Sequence, residues 1–182
     1  MSEDQHLLRR LSGGDMESLR RIYEKHVDDL LAVGVCLLSD VQAAEDCLHD
    51  VFVLFAESSS SLRIRSSLKG YLVSCVANLA RDQLRKKARQ SPCELNEQDH
   101  PVASGDPAKQ LVDFEESGRI FQAVRQLPYE QREVFVLHVQ GELKFREIAD
   151  LVGVSVNTAQ SRYRYGIEKL RALLGKGNEH EL

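Results

Sequence analysis

Seven side chains near the C-terminus gather hydrogen-bonding groups at or near the leading half of one helix: Asn157, Thr158, Gln160, Ser161, Arg162, Arg164 and Tyr165. Carboxamides and guanidinium groups of this kind read base edges and phosphates in the major groove of duplex DNA. A helix that lies in the groove with its leading turns on the bases presents them so, and the preceding residues set one up. Lys144-Phe-Arg-Glu-Ile-Ala-Asp-Leu-Val reads as a short helix that stops at Gly153, where a turn needs a permissive backbone. Ser155 then caps a new helix through the amide of Asn157 or Thr158. Ala149 puts a small residue where the two helices cross, and Ile148, Val152 and Val154 anchor the turn on the core. A plain two-helix corner with a solvated charged face would share the turn. The spacing, the cap and the donor-rich leading turns together point to a helix-turn-helix.

A second set of residues suits single-stranded nucleic acid. Arg63 and Arg65 sit in a loop after Ser58-Ser-Ser-Ser, and the helix that follows offers Tyr71 and Asn78. The last turns of that helix carry Arg81, Arg85, Lys86, Lys87 and Arg89. Single strands are held by basic grooves with pockets for splayed bases. A basic helix end can also be a solvated terminus that complements the helix dipole. Charge is strongly segregated along the chain. Residues 62–90 carry eight Lys/Arg against one Asp/Glu, whereas residues 1–61 carry five against twelve. Residues 91–116 carry one against seven, and residues 117–176 ten against six. The net charge of −4 hides this alternation. Basic blocks suited to DNA alternate with acidic blocks suited to another protein.

The elements that position these residues all read as helices, so the expected fold is all-α: two small helical domains joined by a flexible linker. Asp15 after Gly13-Gly14 is a capping candidate for a helix whose inner face is Leu19, Ile22, Tyr23, Val27, Leu30 and Leu31. Ser39-Asp40 precedes a second helix with Ala44, Cys47, Leu48, Val51, Phe52 and Phe55 inward. A third runs from about Ser67 to Ala88 with Leu68, Tyr71, Leu72, Cys75, Val76 and Leu79 inward. Residues 12–90 therefore form one module. Residues 91–112, with Pro92, Pro101, Gly105 and Pro107, form an acidic linker that leaves the angle between modules adjustable. Residues 113–176 form the second module. Its first two faces are Ile120, Ala123, Val124 and Leu127, then Val134, Phe135, Leu137 and Val139.

Other chemistries find little support. Cys36, Cys47, Cys75 and Cys93 form no C-x-x-C pair or zinc spacing, and the first three suit core packing as free thiols. No phosphate-binding glycine loop, dinucleotide turn or nucleophile elbow appears, so neither catalysis nor a cofactor or metal is expected. His138, set in an apolar stretch, reads as a packed or capping residue. No apolar run reaches the roughly 20 residues of a membrane span. The polar, acidic opening Met1-Ser-Glu-Asp-Gln-His is unlike a secretory signal, and a cytoplasmic location without membrane insertion is expected.

In five places, in order, the chain resembles the extracytoplasmic-function branch of the sigma-70 family. Gly14-Asp15-x3-Leu19-x2-Ile22-Tyr23 is similar to the opening of that family's region two. Ala44-Glu-Asp-Cys-Leu-His-Asp-Val-Phe52 resembles its A-E-D-x-x-Q-E-x-F helix. Leu68-Lys-Gly-Tyr71-Leu72-x5-Asn78-x3-Asp82-x2-Arg85 is similar to its W-L-x5-N-x3-D-x2-R segment. Leu127-Pro128-x3-Arg132-x2-Phe135 resembles its region-four L-P-x-x-x-R-x-x-F signature. Glu147-Ile-Ala-x3-Gly153-Val-Ser155-x2-Thr158-x2-Ser161-Arg162 is similar to its helix-turn-helix.

The resemblance implies a promoter-specificity subunit with core RNA polymerase as partner, touched at the clamp helices of its largest subunit and at its flap. It implies polymerase contacts from Glu45, Asp46, His49, Asp50 and Phe52. It implies recognition and melting of the −10 element by Arg63, Arg65, Lys69, Tyr71, Asn78, Arg81 and Arg85. The −35 element falls to the helix-turn-helix, and an anti-sigma factor is a further implied partner. Three departures stand out. Tyr71 replaces the family's Trp, His49-Asp50 replace Gln-Glu, and Tyr165 stands where Arg is usual. Arg164 lies one residue earlier, about 100° around the helix, so the −35 sequence does not transfer from relatives. An ordinary helix-turn-helix repressor or activator is the alternative; it would bind duplex DNA without polymerase, but no distinct dimerisation helix is evident.

Overall fold

The computed structural model describes residues 3–59, 64, 67–90 and 115–175 of the 182-residue chain. Arg63, Arg65, Cys93 and the linker over 91–112 lie outside the described residues. Every regular element among those described is an α-helix, as expected. The first module holds α1 (Glu3–Ser12), α2 (Met16–Leu38), α3 (Val41–Ser58) and α4 (Leu68–Gln90). The second holds α5 (Glu115–Arg125), α6 (Tyr129–Val139), α7 (Phe145–Val152) and α8 (Val156–Gly175). No described helix is long and apolar enough to cross a membrane.

Helix boundaries follow local chemistry. Asp15 starts α2 by accepting hydrogen bonds from the Glu17 amide (3.2 Å) and the Ser18 hydroxyl (2.7 Å), with Arg10 Nε at 2.8 Å. Those partners, the Ser18 hydrogen bond foremost, hold its carboxyl below the usual carboxylate range. Ser39 ends α2 in the left-handed region (φ 59°), and Asp40 at once caps α3 through the Ala43 amide at 3.1 Å. Gly34 lets α2 and α3 approach closely: a β-carbon there would meet the Ala44 side chain at 3.0 Å.

The expected inner face of α3 is buried without exception, from Ala44 to Phe55. The other helices differ in instructive ways. Tyr23, expected inside, is 42% exposed and rests edge-on against Phe52, with centroids 4.9 Å apart. Ile120 and Val139 are each 46% exposed, while Val136, between the expected core positions Phe135 and Leu137, is buried. Alpha-4 buries Val73, Ala77 and Ala80 as well as Leu68, Leu72 and Val76. It is buried on more than one side because it packs against α2 and α3 and also meets the second module, where Val73 lies against Gly141. One continuous buried cluster therefore runs from Leu7 through both modules to Leu170.

Helix α1 was not legible in sequence. It buries only Leu7 and Leu11, too few positions to reveal a period, and it is tied down by Lys25, which bonds Glu3 (2.8 Å) and Asp4 (2.7 Å). Beside it lies His26, 4% exposed, whose Nε2 has no hydrogen-bond partner and stands 3.9 Å from Asp4. Burial pushes its pKa below the ordinary 6.5, and nearby Lys25 and Lys69 act the same way, while Asp4 and Asp29 oppose them. The unfolded chain thus binds the proton more readily than the folded one. Stability from this group is complete above about pH 6.5 and falls as pH drops below it, by at most about 1.4 kcal/mol per pH unit. His26→Leu is expected to reduce the loss of melting temperature between pH 7.5 and 5.5. An unchanged loss would assign the titration elsewhere.

Candidate nucleic-acid and polymerase interfaces

The turn between α7 and α8 is built from Gly153, in the left-handed region at φ 72°. A side chain would be strained there, although nothing crowds its β-carbon position. The amides of Gly153 and Val154 both donate to the Ala149 carbonyl, at 2.9 and 3.0 Å. Glu147 reaches back to the Lys144 amide (2.8 Å) and fixes the start of α7. Ser155 caps α8 through the Thr158 amide at 3.0 Å, not that of Asn157. The Thr158 hydroxyl meets Ser155 Oγ at 2.8 Å, so this side chain is engaged in the cap. Behind the turn, Tyr163 closes an aromatic cluster with Phe135, His138 and Phe145. His138 stacks on Phe145, and its Nδ1 donates to the Leu143 carbonyl at 2.8 Å, a packed residue as expected.

This scaffold leaves Asn157, Gln160 and Arg164 exposed along α8, with Ser161 half-buried beside them. Positions 157, 160, 161 and 164 fall within about 100° of one another around the helix. Arg162 is half-buried on the far flank. Tyr165 is 51% exposed, and the Arg164 guanidinium lies 5.1 Å from its ring centroid.

On α4 the residues meet different fates. Asn78 and Arg85 are exposed, and Arg85 lies 3.9 Å from Asp82. Lys69 pairs with Asp29 at 2.7 Å. Tyr71 is half-buried 6.2 Å from Phe55, and burial, the main cause, pushes its hydroxyl up to about 12. Arg81 is not an open DNA-facing cation in this arrangement. Its Nη2 and Nε donate to Glu133 Oε1 at 2.7 and 3.1 Å, and its Nη1 reaches the Leu151 carbonyl and Asn78 Oδ1, each at 3.3 Å.

On α3, Glu45, Asp46, His49 and Asp50 are all exposed on one side. Phe52, the fifth residue expected there, is 8% exposed and wedged between Tyr23 and Phe55, so it offers a partner little surface in this arrangement. Sequence reasoning missed Val53 and Leu54, 43% and 53% exposed, which extend the acidic face with apolar surface. Their signal was an apolar pair placed off the inner stripe of α3. It also missed Glu133, and it gave no sign that Arg132 of the region-four signature is buried, as both are although charged.

The fold and these surfaces define an all-α, two-module protein whose second module is a DNA-binding helix-turn-helix. Residues 22–90 match sigma-70 region 2 and residues 117–170 match sigma-70 region 4, so the chain belongs to the sigma-70 family, in its extracytoplasmic-function branch. It is 28% identical over 176 residues to the extracytoplasmic-function sigma factor SigW of Bacillus subtilis, covering 92% of this chain and 94% of that protein. It is 24% identical over 169 residues to the RNA polymerase sigma-H factor of Pseudomonas aeruginosa, covering 88% of each. Its fold matches CnrH in complex with the cytosolic domain of CnrY (TM-score 0.65, 20% identity, 96% of this chain and 99% of that one). It also matches the sigma factor RpoE of Bartonella quintana in complex with the anti-sigma factor NepR (TM-score 0.64, 23% identity, 86% and 96%). The protein is therefore an RNA polymerase sigma factor acting in transcription initiation, with core polymerase and promoter DNA as its partners. A free-standing repressor would leave the region 2 match without a role.

Proposed function

We propose a division of labour in which each surface described above meets one partner. The exposed side of α3, Glu45, Asp46, His49 and Asp50 with Val53 and Leu54, docks on the clamp helices of the polymerase. Region four engages the flap. The module over 12–90 captures the −10 strand through Arg63, Arg65, Lys69, Tyr71, Asn78, Arg81 and Arg85. The module over 113–176 reads the −35 duplex through Asn157, Gln160, Ser161 and Arg164, with Thr158 as cap and Arg162 and Tyr165 on the flanks. The acidic linker over 91–112 joins them. The chain has no catalytic role of its own and works in the cytoplasm. An anti-sigma factor is a further partner, since RpoE and CnrH were each solved in such company: RpoE with an anti-sigma factor and CnrH with the cytosolic domain of CnrY.

The observation that carries this reading is the α8 surface, where two carboxamides and a guanidinium stand exposed beyond a capped turn. Reconstituted transcription tests it. Purified protein, core polymerase lacking a sigma factor, and fragmented genomic DNA of the source are combined, and RNA 5′ ends are sequenced. Starts that share motifs near −35 and −10 are expected; no protein-dependent starts would reject the proposal.

A separate expectation concerns Asn78, exposed beside the basic half of α4. Asn78→Ala is expected to slow promoter opening by about 2- to 10-fold, the worth of a net hydrogen bond, with polymerase affinity unchanged. Permanganate footprinting of the melted strand, read beside polymerase titration, checks this. A loss of polymerase affinity with normal opening would mean the two surfaces are reversed.

A further inference from the structure

The contact between the two modules is chemically unusual. Glu133 is charged, has a 4% exposed side chain, and sits on α6; its partner Arg81 comes from α4 of the other module. A single carboxylate oxygen, Oε1, accepts two bonds from Arg81 (2.7 and 3.1 Å) and one from the Tyr129 hydroxyl (3.3 Å). The Leu151 carbonyl, at the end of the first helix of the helix-turn-helix, accepts a further bond from the same guanidinium. Near the start of α4, eleven residues before Arg81, the backbones of the two modules come very close. A β-carbon on Gly70 of α4 would stand 3.0 Å from the Gly141 carbonyl and 3.1 Å from the Leu143 side chain.

The contact also has polar members that are incompletely satisfied. Arg125 donates to the Ser39 carbonyl at 3.3 Å, and Arg132 to the Ser39 hydroxyl at 3.4 Å. Arg132 is 2% exposed; it donates to the Arg125 carbonyl at 3.1 Å and lies over the Tyr129 ring, but among the described residues it has no carboxylate partner, and its Nε is without a hydrogen bond. A buried guanidinium without a countercharge is costly. Polar contacts between domains behave like transient protein interfaces. A joint of this kind is suited to opening.

We propose that Glu133 is an internal competitor for nucleic acid, closing the free protein by occupying Arg81 until polymerase or promoter DNA draws the modules apart. The inference rests on the assignment of Arg81 to the −10 strand made above. A carboxylate offers the guanidinium what a phosphate or base acceptor would offer: negative charge and lone pairs along the same fork. The two cannot hold Arg81 together. Whatever free energy favours the closed pair is subtracted from strand binding, and by linkage strand binding weakens the closed pair equally. Apolar packing at the joint, with Val73 of α4 against Gly141, adds to the cost of opening.

The test uses the full chain. Glu133→Gln keeps the shape of the side chain and removes its charge. It is expected to raise the radius of gyration measured by small-angle X-ray scattering. It is also expected to tighten binding of a single-stranded oligonucleotide carrying the mapped −10 sequence by about 5- to 150-fold, the usual range of coupling between linked sites. Gly70→Val, which touches neither charge and favours the helix over glycine, is expected to open the modules in the same way by crowding Gly141. Circular dichroism confirms that each variant keeps its helices. The exchange Arg81→Glu with Glu133→Arg is expected to restore the compact form that Glu133→Arg alone loses. A compact Glu133→Gln protein would overturn the proposal, as would an expanded one with unchanged strand affinity. The scattering measurement needs no DNA, so a failed latch stays distinguishable from a failed promoter assignment, which appears instead as missing starts with the unaltered protein.

Discussion

Arg164→Ala is expected to lower transcription from the cognate promoter by about 5- to 150-fold, the 1–3 kcal/mol range of one bidentate guanidinium–guanine contact. The loss should be specific to sequence. Arg164 shares its side of α8 with Asn157, Gln160 and Ser161 and is exposed, so it faces the groove once the helix lies in it. Its guanidinium already leans over the Tyr165 ring at 5.1 Å, which restricts its rotamers before DNA arrives. At position 165 this chain has an aromatic ring that supports the arginine next door. Arg162 provides the control. It lies two residues earlier, about 200° around the helix, and is half-buried on the flank. Arg162→Ala should therefore weaken binding to all sequences alike and flatten the salt dependence, as loss of a phosphate contact does. Selection from a randomised −35 library separates the two. Relaxed preference at one base pair with Arg164→Ala, and none with Arg162→Ala, is the expected pattern; the reverse would exchange their roles.

How much of this was legible beforehand depended on whether a signal was local. The helix-turn-helix was readable because its determinants lie within a few residues of one another: Ala149, Gly153, Ser155 and Thr158 fix one turn by short-range hydrogen bonds. The inner face of α3 was readable because its six apolar positions repeat at helical spacing against a polar background. Helix α1 was not, because two buried leucines in ten residues make no period.

The contact between modules was the least legible feature, for a physical reason. Val73, Ala77 and Ala80 repeat at helical spacing, but on a helix whose other side already carried a convincing apolar stripe. Small residues at such positions are compatible with solvent and with close packing alike. Glu133 and Arg132 are charged, and a charged pair in a helix reads as exposed unless its distant partners are known. Arg81 is 52 positions from Glu133 in sequence, and nothing local links them. The same distance explains the assignment of Arg81: its basic neighbourhood predicted nucleic acid, whereas its resting partner is an acid in the other module.

Leu54 and Phe55 show how one residue's rotation about a helix separates surface from core, and Phe55→Ala has the largest measurable consequence. Phe55 is 2% exposed, with Phe52 at 6.3 Å and Tyr71 at 6.2 Å between ring centroids. Truncation to alanine is expected to cost about 3–5 kcal/mol, the usual range for a buried phenylalanine. A module this small has about 5–15 kcal/mol in total, so much of the folded population is at stake. Urea unfolding followed by circular dichroism should show the midpoint fall with little change in slope. Because Tyr71 rests on Phe55, the strand-facing side of α4 should loosen with it, and promoter opening should fail before polymerase docking does. Leu54→Ala, one residue away, is the informative contrast. Leu54 is 53% exposed, so its loss should move stability by no more than about 0.5 kcal/mol. It should still weaken polymerase binding, because it lies on the proposed docking side. Equal destabilisation by the two substitutions would mean that α3 is rotated from the orientation described, and the docking surface would have to be reassigned with it.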